Sequence, residues 1–377
     1  MLHTLNISSP KTRNAKHTLH FGDGTPFRIA IVRIAIRLRA SIETMDHPAS
    51  LARRMPHTTA FPNALGTGVL ISTAQPVSAE LRGEMKQCID GYEQVLSRFR
   101  ADSLVARIGS AKHGGRFDFP DWAGPLFDLY DALHSATAGA IDPCVGEDLI
   151  RLGYDPSLSF TVEADAGAHL GALRGRAMWG RDVVRSGDTT LVTQSPVHLD
   201  FGACGKGYLV DLLGGLLADE GAFVIDAGGD LLVHATDPIS VALEDPEDPS
   251  RAVGVAHIAD GAFCASAPSR RHWEVAVDER THLAIHHLLN AIDGLPAQQM
   301  EATWVAVRTD VNADTNAAAH RRTAALADVP TALADGLATA LFVADPNVLS
   351  RVAAFDCATL DADRHACISA DFPGRFF

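Results

Sequence analysis

The chain has 377 residues, 47% of them hydrophobic, which is enough to bury the core of one large domain or two medium ones. Its net charge is −14, yet residues 1–60 are basic, with nine Lys or Arg against three Asp or Glu. The remaining body is therefore strongly acidic, which argues against nucleic-acid binding because phosphate backbones require a basic footprint.

The basic segment, residues 1–60, is predicted to be a disordered or wrongly assigned extension, and residues 61–377 a single domain. Arginines interrupt its apolar stretch, residues 27–42, so that stretch neither spans a bilayer nor forms a signal peptide. A basic amphipathic helix on a membrane surface is the alternative for this stretch. With no transmembrane segment, signal peptide or lipidation motif in view, a cytoplasmic location is expected.

The body is predicted to open with a strand and two helices. The strand covers about 66–72, and Ser78 is placed to cap a helix whose apolar residues share one face as far as Phe99. A second helix is predicted over about 122–137, ending at Gly139, a residue type that suits a helix C-terminus.

The central stretch, residues 199–208, is predicted to be a strand end, a turn of small residues and the start of a helix. The strand is expected over 197–201, and leucines recur at helical spacing over 209–217. Such a turn directs backbone N–H groups and the helix dipole at one point, which suits a phosphate, and Lys206 and Asp200 add charged groups there. The glycine spacing is not that of a Walker P-loop, so an ordinary strand-to-helix turn is the alternative.

The last part of the chain is predicted to alternate strands and loops and to end in a helix. A strand over 222–226 ends at Gly228-Gly229, which permits close approach of a ligand or simply a tight turn. Residues 308–330 are expected to form a surface loop, and residues 331–343 a helix. Other short strands are predicted at 239–243, 253–258 and 302–307. Because strands and helices do not alternate regularly, the sequence favours an α+β fold over a doubly wound sheet.

Two residue pairs are candidates for chemistry. Asp335 and Thr339 are four apart on the last helix and so share a face, where a carboxylate and a hydroxyl are hard oxygen ligands of the kind Mg²⁺ prefers. A surface pair without a ligand is the alternative. His286 and His287 offer a general base near neutral pH, the alternative being one ring in solvent and one in the core.

Other polar residues give weaker indications. Asp142 precedes a proline and is either a ligand contact or a turn opener. The six cysteines include no CxxC pair, which argues against a disulfide framework or a zinc site and favours reduced thiols.

Seven short segments follow one another in a recognisable order from about residue 64 to about 345. They are Leu65-Gly66-Thr67, Ser97-Arg98-Phe99 with Ser103, Ile141-Asp142-Pro143 with Gly146, Leu199-Asp200 with Gly205-Lys206-Gly207-Tyr208, Ala227-Gly228-Gly229-Asp230, His286-His287, and Ala334-Asp335 with Ala338-Thr339-Ala340. In this order they resemble the FAD:protein FMN transferase family, the ApbE-like flavin transferases.

The resemblance implies an α+β fold of two lobes, with mixed or antiparallel sheets flanked by helices and FAD bound in the cleft between the lobes. It implies Mg²⁺-dependent transfer of FMN from FAD to a Thr or Ser hydroxyl of an acceptor flavoprotein, forming a phosphoester and releasing AMP. A FAD-binding or storage protein without transfer, and a FAD pyrophosphatase that gives FMN and AMP, are the alternatives.

The resemblance also implies roles for individual residues. Asp335 and Thr339 look like metal ligands, joined by the backbone carbonyl of Ala203, and His287 matches the family histidine expected to act as base. The residues expected to contact the flavin nucleotide are Leu65, Phe99, Ala140, Ile141, Asp142, Asp200, Lys206, Gly228 and Gly229.

The chain departs from the family pattern at two segments. The usual Thr-Ser-Gly reads Ala265-Ser266-Ala267, and the usual His-Ile-Ile-Asp-Pro reads His287-Leu288-Leu289-Asn290-Ala291. These changes are expected to loosen the acceptor site or the loop beside the flavin. Leu65 in place of the usual methionine is a near-isosteric change. No acceptor pattern is visible in the chain, so self-modification is not expected.

Overall fold

One large sheet organises the fold. The computed structural model of the protein describes residues 2–6, 51–276, 282–309, 326 and 328–377. In chain order the strands are β1 (Leu2–Asn6), β2 (His57–Phe61), β3 (Val69–Thr73), β4 (Gly115–Asp118), β5 (Val183–Arg185), β6 (Thr190–Thr193), β7 (Phe223–Asp226), β8 (Asp230–Glu244), β9 (Ala252–Ser266), β10 (His272–Ala276), β11 (His282–His286), β12 (Leu289–Asn290), β13 (Leu295–Pro296), β14 (Met300–Arg308), β15 (Asp356–Asp361), β16 (His365–Ser369) and β17 (Gly374–Phe376). The helices are α1 (Leu51–Arg54), α2 (Ala79–Leu96), α3 (Leu104–Ser110), α4 (Gly124–Ala136), α5 (Gly146–Arg151), α6 (Ala166–His169), α7 (Gly202–Leu216), α8 (Pro330–Ala340) and α9 (Pro346–Leu349).

The large sheet has the strand order β1-β16-β15-β14-β9-β8-β7-β3-β2, and its paired strands are antiparallel. Strand β9 has two neighbours on one side, because its first half pairs with β17 and its second half with β14. Asp230, at the start of β8, is opposite Cys264, and Ser266, at the end of β9, is opposite Thr303. One end of the sheet therefore brings the β7–β8 turn close to the end of β9.

Helices cover one face of this sheet. Helices α7 and α8 pack against β7, β8, β9 and β14, while α2 and α4 pack against α7 and α8. The strands alternate as expected for a sheet that is buried on both faces: Phe223 and Ile225 of β7 belong to the helix-side core, and Val224 belongs to the core on the opposite face. A smaller sheet, β4-β6-β5, and the hairpins β10–β11 and β12–β13 lie outside the large sheet. The predicted α+β class with antiparallel sheets and flanking helices is confirmed.

Several predicted elements are present where the sequence indicated them. Ser78 caps α2, because its hydroxyl accepts a hydrogen bond of 3.1 Å from the Leu81 N–H. After α4, Gly139 adopts a φ of 89° and donates its N–H to the His134 carbonyl, a helix ending that glycine permits without strain. The strands predicted at 222–226 and 302–307 correspond to β7 and β14.

Two predictions about strands are wrong. The segments 239–243 and 253–258 are not separate short strands but parts of β8 and β9, each 15 residues long. The β8–β9 ladder continues past residues 235–238 with a shift of register, as at a β-bulge, so β8 begins well before the predicted strand.

The strand predicted over 197–201 is also absent, and α7 begins directly at Gly202. The Asp200 N–H donates to the Pro143 carbonyl at 2.7 Å, and its carboxylate accepts from the Gly202 N–H at 2.6 Å. The segment is thus held by a turn and by the helix start, rather than by a neighbouring strand. Ala203 and Lys206 consequently lie inside the helix, not in a loop before it.

The predicted surface loop and the predicted extension are only partly described by the structure. Residues 310–325 and 327, most of the loop predicted over 308–330, lie outside the described residues. Strands β1 and β2 fall largely within the segment assigned to the extension, and β1 pairs with β16; the domain boundary at residue 60 stays a prediction. Within the described part of the chain, no helix combines the length and the apolar character needed to cross a membrane.

Candidate active site

Helices α7 and α8 approach each other backbone to backbone. A Cβ atom added to Gly207 would lie 2.3 Å from the Thr331 carbonyl oxygen, and one added to Gly336 would lie 2.8 Å from the Cys204 sulfur. Such distances leave no room for a side chain at either position. The small residues of the central stretch therefore serve helix packing, and this packing sets the separation of the polar side chains on the two helices.

We expect Gly207→Ala to lower the free energy of unfolding by roughly 1–3 kcal/mol, the usual cost of overpacking, and to weaken any ligand that bridges α7 and α8. Gly215→Ala is the matched control, because a Cβ at this exposed position of the same helix meets no atom within 4 Å. The control should stabilise the protein by about 0.5–1 kcal/mol. Chemical denaturation of both variants measures this difference, and equal effects would exclude the packing role of Gly207.

Asp211 fixes the start of α8 to α7. Its two carboxylate oxygens accept hydrogen bonds of 2.9 and 2.8 Å from the Thr331 and Ala332 N–H groups. These are among the N–H groups that lack a partner within their own helix, and a negative charge there also matches the helix dipole. The two helices are thus joined by hydrogen bonds as well as by packing.

The two helices bring Lys206 and Asp335 together. Lys206 Nζ donates to both carboxylate oxygens of Asp335, at 3.0 and 3.1 Å, and lies 2.8 Å from Oδ2 of Asp230. Both carboxylate side chains are 1% exposed, whereas the lysine side chain is 32% exposed. The lysine side chain is therefore the most accessible member of a buried charged cluster.

The cluster alters the protonation of its members. Burial and the negative charge of Asp230 raise the pKa of Asp335 to about 7, although Lys206 opposes this shift. Burial alone would lower the pKa of Lys206, but the two carboxylates outweigh it and raise that pKa above its usual value. Lys206 is therefore a permanent cation at physiological pH.

The proposed metal ligands are hard oxygen donors on these same helices. Thr339 follows Asp335 by one helical turn of α8. The Ser266 hydroxyl oxygen lies 3.5 Å from the Thr339 hydroxyl oxygen. The Gly207 N–H, whose helical acceptor is the Ala203 carbonyl, also lies 3.1 Å from Asp335 Oδ2, so the two oxygens compete for it. Carboxylate, hydroxyl and carbonyl oxygens suit Mg²⁺, with waters and phosphate oxygens completing the coordination.

The described residues include no cluster of three or more His, Cys, Asp or Glu side chains placed to hold a metal. The donor set of Asp335, Thr339 and Ala203 contains only one such side chain, as expected for a cation that keeps several waters and substrate oxygens. The set fits Mg²⁺ in its chemistry, and these three assignments stay predictions.

His287 follows β11 and has a defined tautomer. Its Nδ1 lies 3.2 Å from the Arg271 carbonyl oxygen, and because a carbonyl only accepts, Nδ1 carries the proton. Burial, together with the charges of Arg271 and Lys206, lowers the pKa of His287 to about 3. The ring is neutral, with the Nε2 lone pair free to accept a proton. Its neighbour His286 is buried, and its Nδ1 accepts from the Leu288 N–H.

Asp200 and Phe99 are connected through Arg98. Arg98 Nε donates to Asp200 at 2.5 Å and Nη1 donates to the Tyr154 carbonyl at 2.6 Å. The guanidinium carbon lies 4.2 Å from the Phe99 ring centre and 4.6 Å from that of Tyr154. Phe99 is 42% exposed, so an aromatic face remains accessible beside the ion pair.

The segment of Ala140, Ile141 and Asp142 is buried. Asp142 caps the following 3₁₀ turn by accepting from the Cys144 N–H at 2.8 Å, and it also accepts from the Trp179 N–H. The carboxylate is therefore occupied within the protein, which favours the turn-opening alternative for this side chain. Contact between this segment and a flavin nucleotide stays a prediction.

The segments of Leu65 and the glycine pair are also held by turns. Leu65 adopts a positive φ of 53°, and its N–H donates to Glu93 at 2.7 Å. Gly228 and Gly229 have φ values of 71° and 108°, which favour glycine, and a Cβ at Gly228 would lie 3.2 Å from the Thr67 side chain. The two turns lie at the same end of the sheet because β3 and β7 pair, but their contact with a ligand stays a prediction.

The departures from the family pattern have local explanations. Asn290 accepts from the Ile292 N–H at 3.0 Å, a turn contact that an aspartate makes equally well. The Ala291 N–H, which a proline would lack, donates to the Ala140 carbonyl at 3.0 Å. Ser266, the retained member of its triplet, is the residue beside Thr339. Asn290 and Ala291 are thus hydrogen-bonded within the protein, and the loosening expected from these changes stays a prediction.

The sequence did not assign a role to Asp230 or Arg98, although both lie in the segments that carry the resemblance. An acidic residue at the start of a buried strand is uncommon, and this was the available signal for Asp230. No local pattern distinguished Arg98, since its partners Asp200 and Tyr154 are distant in sequence.

Comparisons with known proteins identify the family. A profile of the ApbE family matches residues 65–361. Two relatives named FAD:protein FMN transferase, from Escherichia coli K12 and O157:H7, are each 23% identical over 242 residues, covering 60% of this chain and 69% of their own.

Solved structures share the fold. An ApbE protein from Thermotoga maritima has a TM-score of 0.64 at 19% identity and covers 83% of this chain and 96% of its own. A flavin transferase ApbE from Vibrio cholerae has a TM-score of 0.60 at 17% identity, covering 85% and 96%. The expectation of an ApbE-like enzyme is confirmed, and since the profile spans most of its length, the chain belongs to the ApbE family.

Proposed function

We propose that this chain transfers FMN from FAD to a Thr or Ser hydroxyl of an acceptor protein, in a reaction that requires Mg²⁺ and releases AMP. The observation that carries the proposal is the contact of Lys206 with the buried carboxylate of Asp335 across α7 and α8. This contact combines an accessible cation with a hard oxygen ligand at one point. Both are needed to neutralise a pyrophosphate.

Phosphoryl-type transfer depends mainly on positioning and charge neutralisation. In this proposal Lys206 and the start of α7 bind phosphate oxygens, and Asp335, Thr339 and the Ala203 carbonyl hold Mg²⁺. When bound, Mg²⁺ supplies charge neutralisation at the pyrophosphate. Phe99, with its exposed ring, is proposed to contact the flavin part of the substrate.

His287 is proposed to accept the proton of the acceptor hydroxyl at Nε2. The hydroxyl oxygen forms a bond to the phosphorus of the FMN part, and the bond from that phosphorus to the bridging oxygen breaks. AMP leaves with the bridging oxygen. The proton fixed on Nδ1 supports this role, because it leaves the lone pair of the ring on Nε2.

The test is an incubation of the full chain with FAD and an acceptor domain, with Mg²⁺ or with EDTA. The acceptor is a domain that another family member modifies, and its Thr→Ala variant is the control. We expect AMP release that depends on Mg²⁺, together with a mass gain of one FMN on the acceptor that retains its threonine. The Thr→Ala acceptor should gain no mass.

Other outcomes would identify the alternatives. AMP and free FMN without an acceptor would indicate a pyrophosphatase. Retention of FAD with no AMP would indicate a binding protein, and absence of FAD binding would exclude all three functions.

A further inference from the structure

Asp230 is a buried carboxylate to which the proposed reaction gives no task. Its side chain is 1% exposed, and its Oδ2 lies 2.8 Å from Lys206 Nζ. The same ammonium donates to both oxygens of Asp335, at 3.0 and 3.1 Å, so two buried carboxylates share one lysine. A second carboxylate buried beside the first is costly, because both are desolvated and their charges repel, so the retention of Asp230 calls for an explanation.

Lys206 has two possible carboxylate partners, and they are not equivalent. Asp335 is a proposed ligand of the divalent cation, and a carboxylate that binds Mg²⁺ cannot keep both oxygens on an ammonium. Asp230 is outside the proposed ligand set. When Asp335 turns to the cation, Asp230 is the group that can receive the lysine.

We propose that Asp230 is a positioning residue that takes over Lys206 when a divalent cation engages Asp335, and thereby holds the ammonium at the phosphate-binding position. The inference rests on the proposed function, because it concerns the pyrophosphate site. Because Asp230 Oδ2 already lies 2.8 Å from Lys206 Nζ, this change of partner needs no large movement of the ammonium.

The charges of the cluster agree with this role. With both carboxylates ionised, Lys206, Asp230 and Asp335 together carry a net charge of about −1, which opposes an anion, and a divalent cation changes it to about +1, which favours a pyrophosphate. Asp230 by itself repels an anionic ligand. It can favour binding only indirectly, by keeping Lys206 in place and away from Asp335.

This indirect action predicts that Asp230→Asn has different effects on FAD binding in a chain with Lys206 and in a chain without it. With Lys206 present, Asp230→Asn should weaken the binding of FAD at saturating Mg²⁺ by at least about tenfold, because the lysine then competes for Asp335. In a Lys206→Met background, the same change should leave FAD binding unchanged or make it tighter, since only the repulsion is removed.

The experiment measures dissociation constants by calorimetry on the full chain, with FAD and, in parallel, with inorganic pyrophosphate as probes. Asp245→Asn is the matched control: Asp245 forms a partly buried pair with Arg364 at 2.8 Å, so the variant has the same change of net charge. This control should not alter either constant in either background. Should Asp230→Asn fail to fold, Asp230→Ser replaces it, and the same changes in the dissociation constants are expected.

Weaker binding in both backgrounds would overturn the inference and indicate a metal ligand or a purely structural residue. Tighter binding in both would overturn it as well, since repulsion would then be the main effect of Asp230. The expected difference between the two backgrounds, seen with pyrophosphate in a chain that does not bind FAD, would support the role of Asp230 while excluding the proposed function. Failure of both probes to bind would overturn both.

Discussion

Asp335→Asn should abolish most of the Mg²⁺-dependent transfer, with a loss on the order of 10³-fold in kcat/KM. The asparagine keeps the shape of the buried side chain and one acceptor for Lys206, but it loses the charge that holds the cation. AMP release, measured against Mg²⁺ concentration with the acceptor present, gives the size of the loss.

The neighbouring ligand provides the control for this prediction. Thr339→Ser keeps the hydroxyl beside Ser266 and should retain most of the activity, whereas Thr339→Val should lose part of it. Circular dichroism and denaturation of each variant establish that the fold is intact. Full Mg²⁺-dependent activity in folded Asp335→Asn would contradict the metal assignment.

His287→Ala should lower kcat by about 10²–10⁴-fold, the usual contribution of a positioned general base, while FAD binding is spared. The pH profile gives a second test at saturating Mg²⁺. Because the pKa of His287 is lowered to about 3, its neutral, basic form persists as the pH falls and is lost only as the pH approaches that value. Protonation of this ring should therefore cause no loss of kcat/KM between pH 8 and 5.

His286 is the control for this histidine. Its buried ring accepts from the Leu288 N–H, so His286→Ala should lower stability with little change in kcat. An acid limb near pH 6.5 that disappears in His287→Ala would show that the ring titrates as an ordinary histidine. Loss of FAD binding in His287→Ala would indicate a flavin contact instead of a base.

Much of the fold could be predicted from local patterns. The apolar stripe and the Ser78 cap located α2, and the apolar runs located β7 and β14, because these signals lie within one element. The two long strands were predicted too short, and in β8 the segment Thr236-Asp237-Pro238 separates the apolar residues in sequence although the ladder continues past it.

The geometry of the candidate site depends on contacts that no local pattern contains. Gly207 and Thr331 are 124 positions apart, and only the folded chain shows that the glycine is required by the carbonyl of the other helix. The sequence predicted a turn of small residues where the first turns of α7 lie. Small residues permit a tight turn and a close contact between helices equally well, so the sequence could not distinguish the two. Asp230 was missed similarly, since its partner Lys206 is on another element.

The carboxylate of Asp211 has a consequence for how the site can open. Amides at a helix start ordinarily exchange with solvent early, because nothing in their own helix retains them. Those of Thr331 and Ala332 are retained by a side chain of α7, so unwinding the start of α8 also breaks a contact of the other helix. Local unfolding at the start of α8 is therefore coupled to α7, the helix that carries Lys206, and the amides of Thr331 and Ala332 should exchange late for a helix start.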